Sequence, residues 1–320
     1  MTQAQISCGI DFGTSNSTCA VFNGTEVISV SLEGDNTVIP SAIFFSSEDR
    51  STHFGKAAIH RYVEGEEGRL LRGLKSILGT SLMDERTVVG NKSRSFVEII
   101  SIFIGNIKSK ADQFVGESIE NVVMGRPVHF HDNNPAADNK SEAVLRGIAE
   151  QIGFKTIHFQ YEPIAAAYSH EQALDEEKIA LVVDLGGGTS DFTVIRLSPE
   201  RKLRTDRKDD ILATSGVRIG GTNFDKSLSM GSFMPYLGLG SAYHSEFDKD
   251  KILEVPSKVY DDLSDWPFIH QAQGAKAIAQ TKELLRTAAE PEKLSRIGCT
   301  RKTARSCVLT GCRAGKDKAD

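Results

Sequence analysis

The residues best suited to chemistry lie in Ile179–Asp191, IALVVDLGGGTSD, where an apolar run stops at Asp184 and Gly186, Gly187 and Gly188 precede Thr189. Glycine has no Cβ, so such a turn can take positive φ and bring its N–H groups onto an anion. Asp184, expected at the end of a buried strand, could hold Mg²⁺ directly or through water. Taken alone, the run also fits an ordinary Gly-rich turn between strands. A second stretch bears on that choice. Ile6–Phe22, ISCGIDFGTSNSTCAVF, repeats the order: strand, Asp11, apolar residue, Gly13, the small polar turn Thr14, Ser15 and Asn16, then strand. Two copies far apart suggest a duplicated unit whose halves each present a phosphate-binding hairpin.

Other phosphate sites fit less well. A Walker loop requires G-x-x-x-x-G-K-[ST] before a helix, and the chain has none. A dinucleotide fingerprint opens a helix, whereas Phe192–Leu197, FTVIRL, reads as a strand. Asp11-Phe12-Gly13 spells a kinase metal motif, but the machinery that motif requires has no room upstream.

The elements that must position these turns follow from pattern. Asn23-Gly24 between apolar runs predicts a hairpin. Arg69–Gly79 carries Leu70, Leu71, Leu74, Ile77 and Leu78 at helical spacing, with Lys75 on the polar side. Phe96–Phe114 predicts a long amphipathic helix, Asn121–Met124 a strand, Asn139–Gly153 a helix and Thr156–Phe159 a short strand. Glu162-Pro163 reads as a helix start, with the proline where its missing N–H costs nothing. His129 and His131 would share one face of a strand, but no third ligand accompanies them, so burial or hydrogen bonding is the reading for both.

Composition narrows the class. Across 320 residues, 25% are charged, 39% are hydrophobic and the net charge is -5, as in an ordinary globular chain with no bulk attraction to nucleic acid or anionic membrane. The start MTQAQISCGIDFG lacks the charge and apolar pattern of a targeting peptide, and no apolar run could span a bilayer. Five cysteines, an odd number, argue for a reducing compartment, so the expected location is the cytoplasm.

DFGTSNS, IPSAIFF, FGKAA, RGLKSILG, YEPIAAAY, DLGGGTSDF and IGGTNFD occur in one order over about residues 6–230. In that set the chain resembles the ATPase domain of the seventy-kilodalton heat-shock chaperones, the DnaK-like family, and more narrowly its YegD-type members. The resemblance implies an α/β, actin-like (ribonuclease H-like) fold of two duplicated lobes with ATP in the cleft between them. Lobe I would span residues 1–170 and a partial lobe II residues 171–296. It also implies roles. Gly13, Thr14, Ser15 and Asn16 match the first phosphate loop, and Gly186, Gly187, Gly188 and Thr189 the second. Asp11 and Asp184 match the acids that organise Mg²⁺, Lys75 the lysine of γ-phosphate cleavage, and Glu162 the acid that positions metal or attacking water. Thr189 joins Lys75, Glu162 and Asp184 in the expected catalytic set. Gly220 and Gly221 match the turn that approaches nucleotide from lobe II, and Pro127 a hinge proline preceded here by the atypical Arg126. Ligands would be ATP or ADP with Mg²⁺, and partners would be co-chaperones or unfolded polypeptide in a full-length form, with neither nucleic acid nor membrane.

Beyond Asp225 the resemblance thins. Gly274–Ala289 reads as a helix, though Lys276 and Lys282 do not reproduce an adenine-binding pattern. Residues 297–320 hold Cys299, Cys307 and Cys312 among basic residues, expected as a disordered tail foreign to the fold, from a frameshift or premature stop. The second lobe is therefore expected to be incomplete. The favoured function is slow, Mg²⁺-dependent ATP hydrolysis by a chaperone nucleotide-binding domain. The alternatives are an actin- or MreB-like filament protein, a small-molecule kinase of the same superfamily and an inert fragment.

Overall fold

Period-2 alternation sets the first strand. β1 (Ser7–Phe12) turns Cys8, Ile10 and Phe12 into the core and Gly9 and Asp11 to the opposite face. The computed structural model describes residues 6–265, apart from 90–91, 205, 245–247 and 249. β2 (Asn16–Phe22) returns antiparallel, with Asp11 opposite Thr18 and Phe12 opposite Ser17. The expected Asn23-Gly24 hairpin leads to β3 (Val27–Ser29), and Asn23 Oδ1 accepts from the Thr25 and Glu26 N–H groups, both at 3.0 Å. β4 (Val38–Pro40) pairs with the first residues of β2.

β5 (Ala42–Ser46), β6 (Thr52–Phe54) and β7 (Gly68–Arg72) form a second, antiparallel sheet in the order β6-β5-β7. α1 (Gly55–Val63) packs Ala58 against its Phe44 and Leu70. Here a sequence expectation fails. Arg69–Gly79 is not a helix: its first part is β7, and only Leu74–Ile77 forms a short 3₁₀ turn. Leu70 and Leu71 pair with Phe44 and Ile43 of β5, and Gly73 takes φ 65°, a left-handed conformation that ends the strand and starts the turn. The turn carries Lys75 inward, 7% exposed, rather than onto a polar face.

β8 (Arg86–Val89) and β9 (Lys92–Ser95) form a hairpin leading into α2 (Phe96–Val115). Ser95 and Glu98 exchange hydrogen bonds at the helix start and Gly116, at φ 87°, ends it. α2 buries Ile99, Ile100, Phe103, Ile104 and Ile107 under the first sheet, with Phe103 5.8 Å from the Phe12 ring. β10 (Asn121–Arg126) and β11 (Thr156–Tyr161) extend that sheet in parallel, joined by α3 (Pro135–Gln151). The order becomes β11-β10-β1-β2-β3.

α4 (Glu162–Glu171) begins as expected, with Pro163 in its first turn. It lays Ile164 and Ala167 on Ile195 and Leu197 of a third sheet, the antiparallel meander β12 (Lys178–Leu185), β13 (Ser190–Leu197) and β14 (Ile211–Val217). β12 is not the buried strand the sequence predicts. Ile179, Leu181, Val183 and Leu185 line one face and stay exposed among the described residues, while Ala180 and Val182 pack toward α4. α5 (Gly221–Leu228), the hairpin of β15 (Ala242–His244) and β16 (Ile252–Glu254), and α6 (Lys258–Ser264) follow. Met234, Val255 and Tyr260 form a small core there. Gly274–Ala289, with Lys276 and Lys282, and the tail with Cys299, Cys307 and Cys312 lie outside the described residues. Among the described residues no helix is long and apolar enough to cross a membrane.

Candidate functional site

The two hairpin turns meet. A methyl group on Gly188 would stand 2.7 Å from Thr14 Oγ1, so the second turn reaches the first only because residue 188 has no side chain. Close approach, rather than positive φ, is what the second turn requires: Gly186, Gly187 and Gly188 are absent from the positive-φ glycines. The registers match as well. Asp184 stands opposite Asp191 across β12 and β13, as Asp11 stands opposite Thr18, so each turn leaves its sheet two residues after an acid.

Each turn is braced by a hydroxyl residue from a later segment. Ser41 donates its N–H to Ser15 O at 2.9 Å and its Oγ to Gly13 O at 2.7 Å, which gives IPSA a physical purpose. Thr222 donates its N–H and Oγ1 to Gly187 O at 2.8 and 2.7 Å, and Gly221 donates its N–H to Gly186 O at 3.0 Å. A Cβ on Gly220 would lie 2.7 Å from Gly186 O, so Gly220 and Gly221 are spent on bracing the turn. Gly186 donates its N–H to Thr189 O at 2.9 Å, closing the turn from within.

Beside the turns lies a cluster of charge. Lys75 Nζ and Glu162 Oε1 pair at 2.5 Å, joining the 3₁₀ turn to the start of α4. Burial pushes the Asp11 carboxyl up to about 6, with the negative Glu162 and Asp184 adding to the effect and Lys75 opposing it. The Asp11 residue is nonetheless solvent-exposed, which tempers the cost of its charge. Asp184 is raised by burial and by Glu162. Asp191, 1% exposed, is pushed up to about 6 by burial, although its Oδ1 accepts the Val128 N–H at 3.0 Å. Its Oδ2 is buried with no hydrogen-bond partner among the described residues. Lys75 thus faces three carboxylates, Glu162, Asp11 and Asp184, an arrangement short of positive charge. Carboxylate oxygens are the donors Mg²⁺ prefers, although among the described residues no three of these acids bring their oxygens within 4.8 Å of one another.

A cavity of about 360 Å³ opens against the turns, lined by Thr14, Ser15 and Gly188 and by Arg72, Arg218 and Thr222. Asp11, Lys75, Glu162 and Asp184 do not line it, and neither does Asn16, which is exposed at the start of β2. Arg72, Arg218, Thr222, Ser41 and the burial of Asp191 are absent from the sequence-level site. Asp191, Ser41, Thr222 and Arg72 had a local signal, as members of DLGGGTSD, IPSAIFF, IGGTNFD and RGLKSILG, whereas Arg218 had none.

Three other features resolve simply. Arg126 is buried through ion pairs to Asp138 and Glu142, both at 2.6 Å, and stacks by Phe130 and Tyr161, so the residue before Pro127 is fully accommodated. Asp49, His53 and Glu66 bring ligand atoms within 4.8 Å, but Arg61 pairs with Glu66 and Ser51 bridges the other two. His129 and His131 join no such cluster among the described residues.

Two braced glycine turns are in contact, with an acid at each strand end and a lysine–glutamate pair alongside, and the mixed α/β sheets fit an actin-like ATPase fold. The family model for the Hsp70 protein matches residues 7–234, well over half of the chain and both turns. The chain belongs to the Hsp70 family, as a nucleotide-binding, chaperone-family domain.

Proposed function

We propose that this chain is an Mg²⁺-dependent nucleotide-binding domain of a DnaK-like chaperone, of YegD type, which binds ATP or ADP and hydrolyses ATP slowly. The observation that carries the reading is the contact of the two braced turns, Thr14 and Ser15 on one side and Gly187 and Gly188 on the other. Their backbone N–H groups are the natural partners of phosphate oxygens. Lobe I would comprise residues 1–170 and a partial lobe II residues 171–296, the lobes being duplicated units that each supply one turn.

Asp11 and Asp184 would hold Mg²⁺, with Asp191 close by, and the ion would neutralise phosphate charge. Lys75, held by Glu162, directs its ammonium toward the terminal phosphate. Glu162 and the Thr189 hydroxyl orient the water whose oxygen bonds to phosphorus as the bond to ADP breaks. Positioning and charge neutralisation dominate such a transfer, because the protein makes no covalent bond. In a full-length form this site would set the affinity of a neighbouring unit for unfolded polypeptide or co-chaperones, and the protein would work in the cytoplasm.

Calorimetry of the purified chain with Mg·ATP tests the reading, repeated with Asp184→Ala. Saturable binding that weakens at least about tenfold in the variant is expected, the scale of a charge-assisted contact. A chain that binds neither ATP nor ADP would contradict it.

A further inference from the structure

The cleft holds a cation that the phosphate reading leaves unused. Arg218 follows β14 on the strap that braces the second turn, where Ile219 O accepts the Ser190 Oγ at 2.6 Å. Its backbone N–H donates to both carboxylate oxygens of Asp132, at 3.2 and 3.0 Å, which fixes the base of the side chain against the N-terminal half. The guanidinium donates to Ser76 O at 2.5 Å, beside Lys75. That carbonyl takes one of five N–H donors. Among the described residues the guanidinium has no ion pair, and burial lowers its pKa despite nearby Asp132.

The cavity that Arg218 lines is also lined by Thr14, Ser15 and Gly188, from both turns, and by Arg72. Lys75 shares its charge with Glu162 and does not line this cavity, so a terminal phosphate seated there has charge left for a second cation. A triphosphate brings one more charged group than a diphosphate, and the fork of a guanidinium suits its oxygens. Asp225 and Asp265 also line the cavity, but Asp265 is paired with Lys226 at 3.1 Å, and Asp225 is solvent-exposed.

We propose that Arg218 binds the outermost phosphate of a nucleoside triphosphate seated on the two turns, and so makes the cleft prefer triphosphate over diphosphate. This rests on the nucleotide reading above. It adds a specificity-determining residue supplied by the strap rather than by either turn.

The test is calorimetry on the full chain with Mg²⁺ and two probes, ADP and an ATP analogue with a non-hydrolysable β,γ bridge. Arg218→Ala is expected to weaken the triphosphate about tenfold or more and the diphosphate less than about twofold, with Arg218→Lys in between. The backbone bonds to Asp132 survive these substitutions. If Arg218→Ala fails to fold, Arg218→Gln keeps the polar stem and supplies the same comparison. Equal weakening of both nucleotides, or none, would overturn the proposal. So would slowed hydrolysis with an unchanged affinity ratio, which would mean that Arg218 acts only by holding Ser76 and Lys75. Failure of the unsubstituted chain to bind either nucleotide would bring down the nucleotide reading and this inference together; binding of both with an Arg218-independent ratio removes only the inference.

Discussion

The two sheets that carry the glycine turns differ in how they are held. In the first, β1 and β2 send Ile10, Phe12, Cys19 and Val21 into a core shared with α2 and α3, all nearly inaccessible. In the third, α4 covers one face of β12 and β13, and among the described residues the other face leaves Ile179 63% and Leu181 64% exposed. The third sheet compensates with charge. Arg207 grips Glu171 with two bonds at 2.9 Å and also pairs with Asp210, and both acids are 1% exposed. The same turn is thus built twice, once on apolar packing and once on a buried ionic network beside an open apolar face. Turn geometry depends on local braces, Ser41 and Thr222, rather than on the mass of core behind it.

The largest expected effect lies in the first core. Phe103→Ala should lower unfolding free energy by about 4 kcal/mol in a denaturant titration, through lost burial and a cavity. A loss below about 1 kcal/mol would remove the contrast between the sheets. Next is Arg207→Ala, which strands Glu171 and partly strands Asp210; roughly 3 kcal/mol should be lost. Substituting Arg207 and Glu171 together by apolar residues should recover much of that, and failure to recover would count against a desolvation origin.

Asp191 gives a pH test of the contact between β13 and the segment after β10. Its carboxyl rises from 3.8 to about 6 on folding, so the folded state holds a proton that the unfolded state releases. The stabilisation is fully present below about pH 4 and disappears as pH climbs through about 6. Without Mg²⁺, thermal stability should therefore fall between pH 4 and 7, and Asp191→Asn should flatten that fall, gaining about 2 kcal/mol at pH 7. An unchanged pH profile in Asp191→Asn would sink this assignment. The smallest effect belongs to the open face. Leu181→Ser should change stability by no more than about 0.5 kcal/mol, whereas a loss above about 2 kcal/mol in chemical denaturation would show that the face is covered.

The legible parts of the sequence were those with local causes. The two strand–acid–glycine turns, the Asn23-Gly24 hairpin, α2 with its Ser95 start and the Pro163 entry to α4 all rest on chemistry within a few residues. Arg69–Gly79 misled because Leu70, Leu71, Leu74, Ile77 and Leu78 satisfy a helical period, while pairing with β5 and the left-handed Gly73 are tertiary and backbone facts that spacing does not encode. β12 looked buried because a run of apolar residues does not say which of its two faces is covered. In the site, Asp11, Thr14, Ser15, Asp184 and Gly186–Gly188 were readable from pattern, and Lys75 and Glu162 from resemblance. Arg218 was not, because its partners Asp132 and Ser76 are far from it in sequence.

The central claim is that the two turns form one phosphate site, and the most direct test follows backbone amides of the labelled chain by NMR as Mg·ADP is added. The amides of Thr14, Ser15, Gly187 and Gly188 should shift together along a single binding curve. Shifts confined to one turn, or two curves with different midpoints, would contradict it.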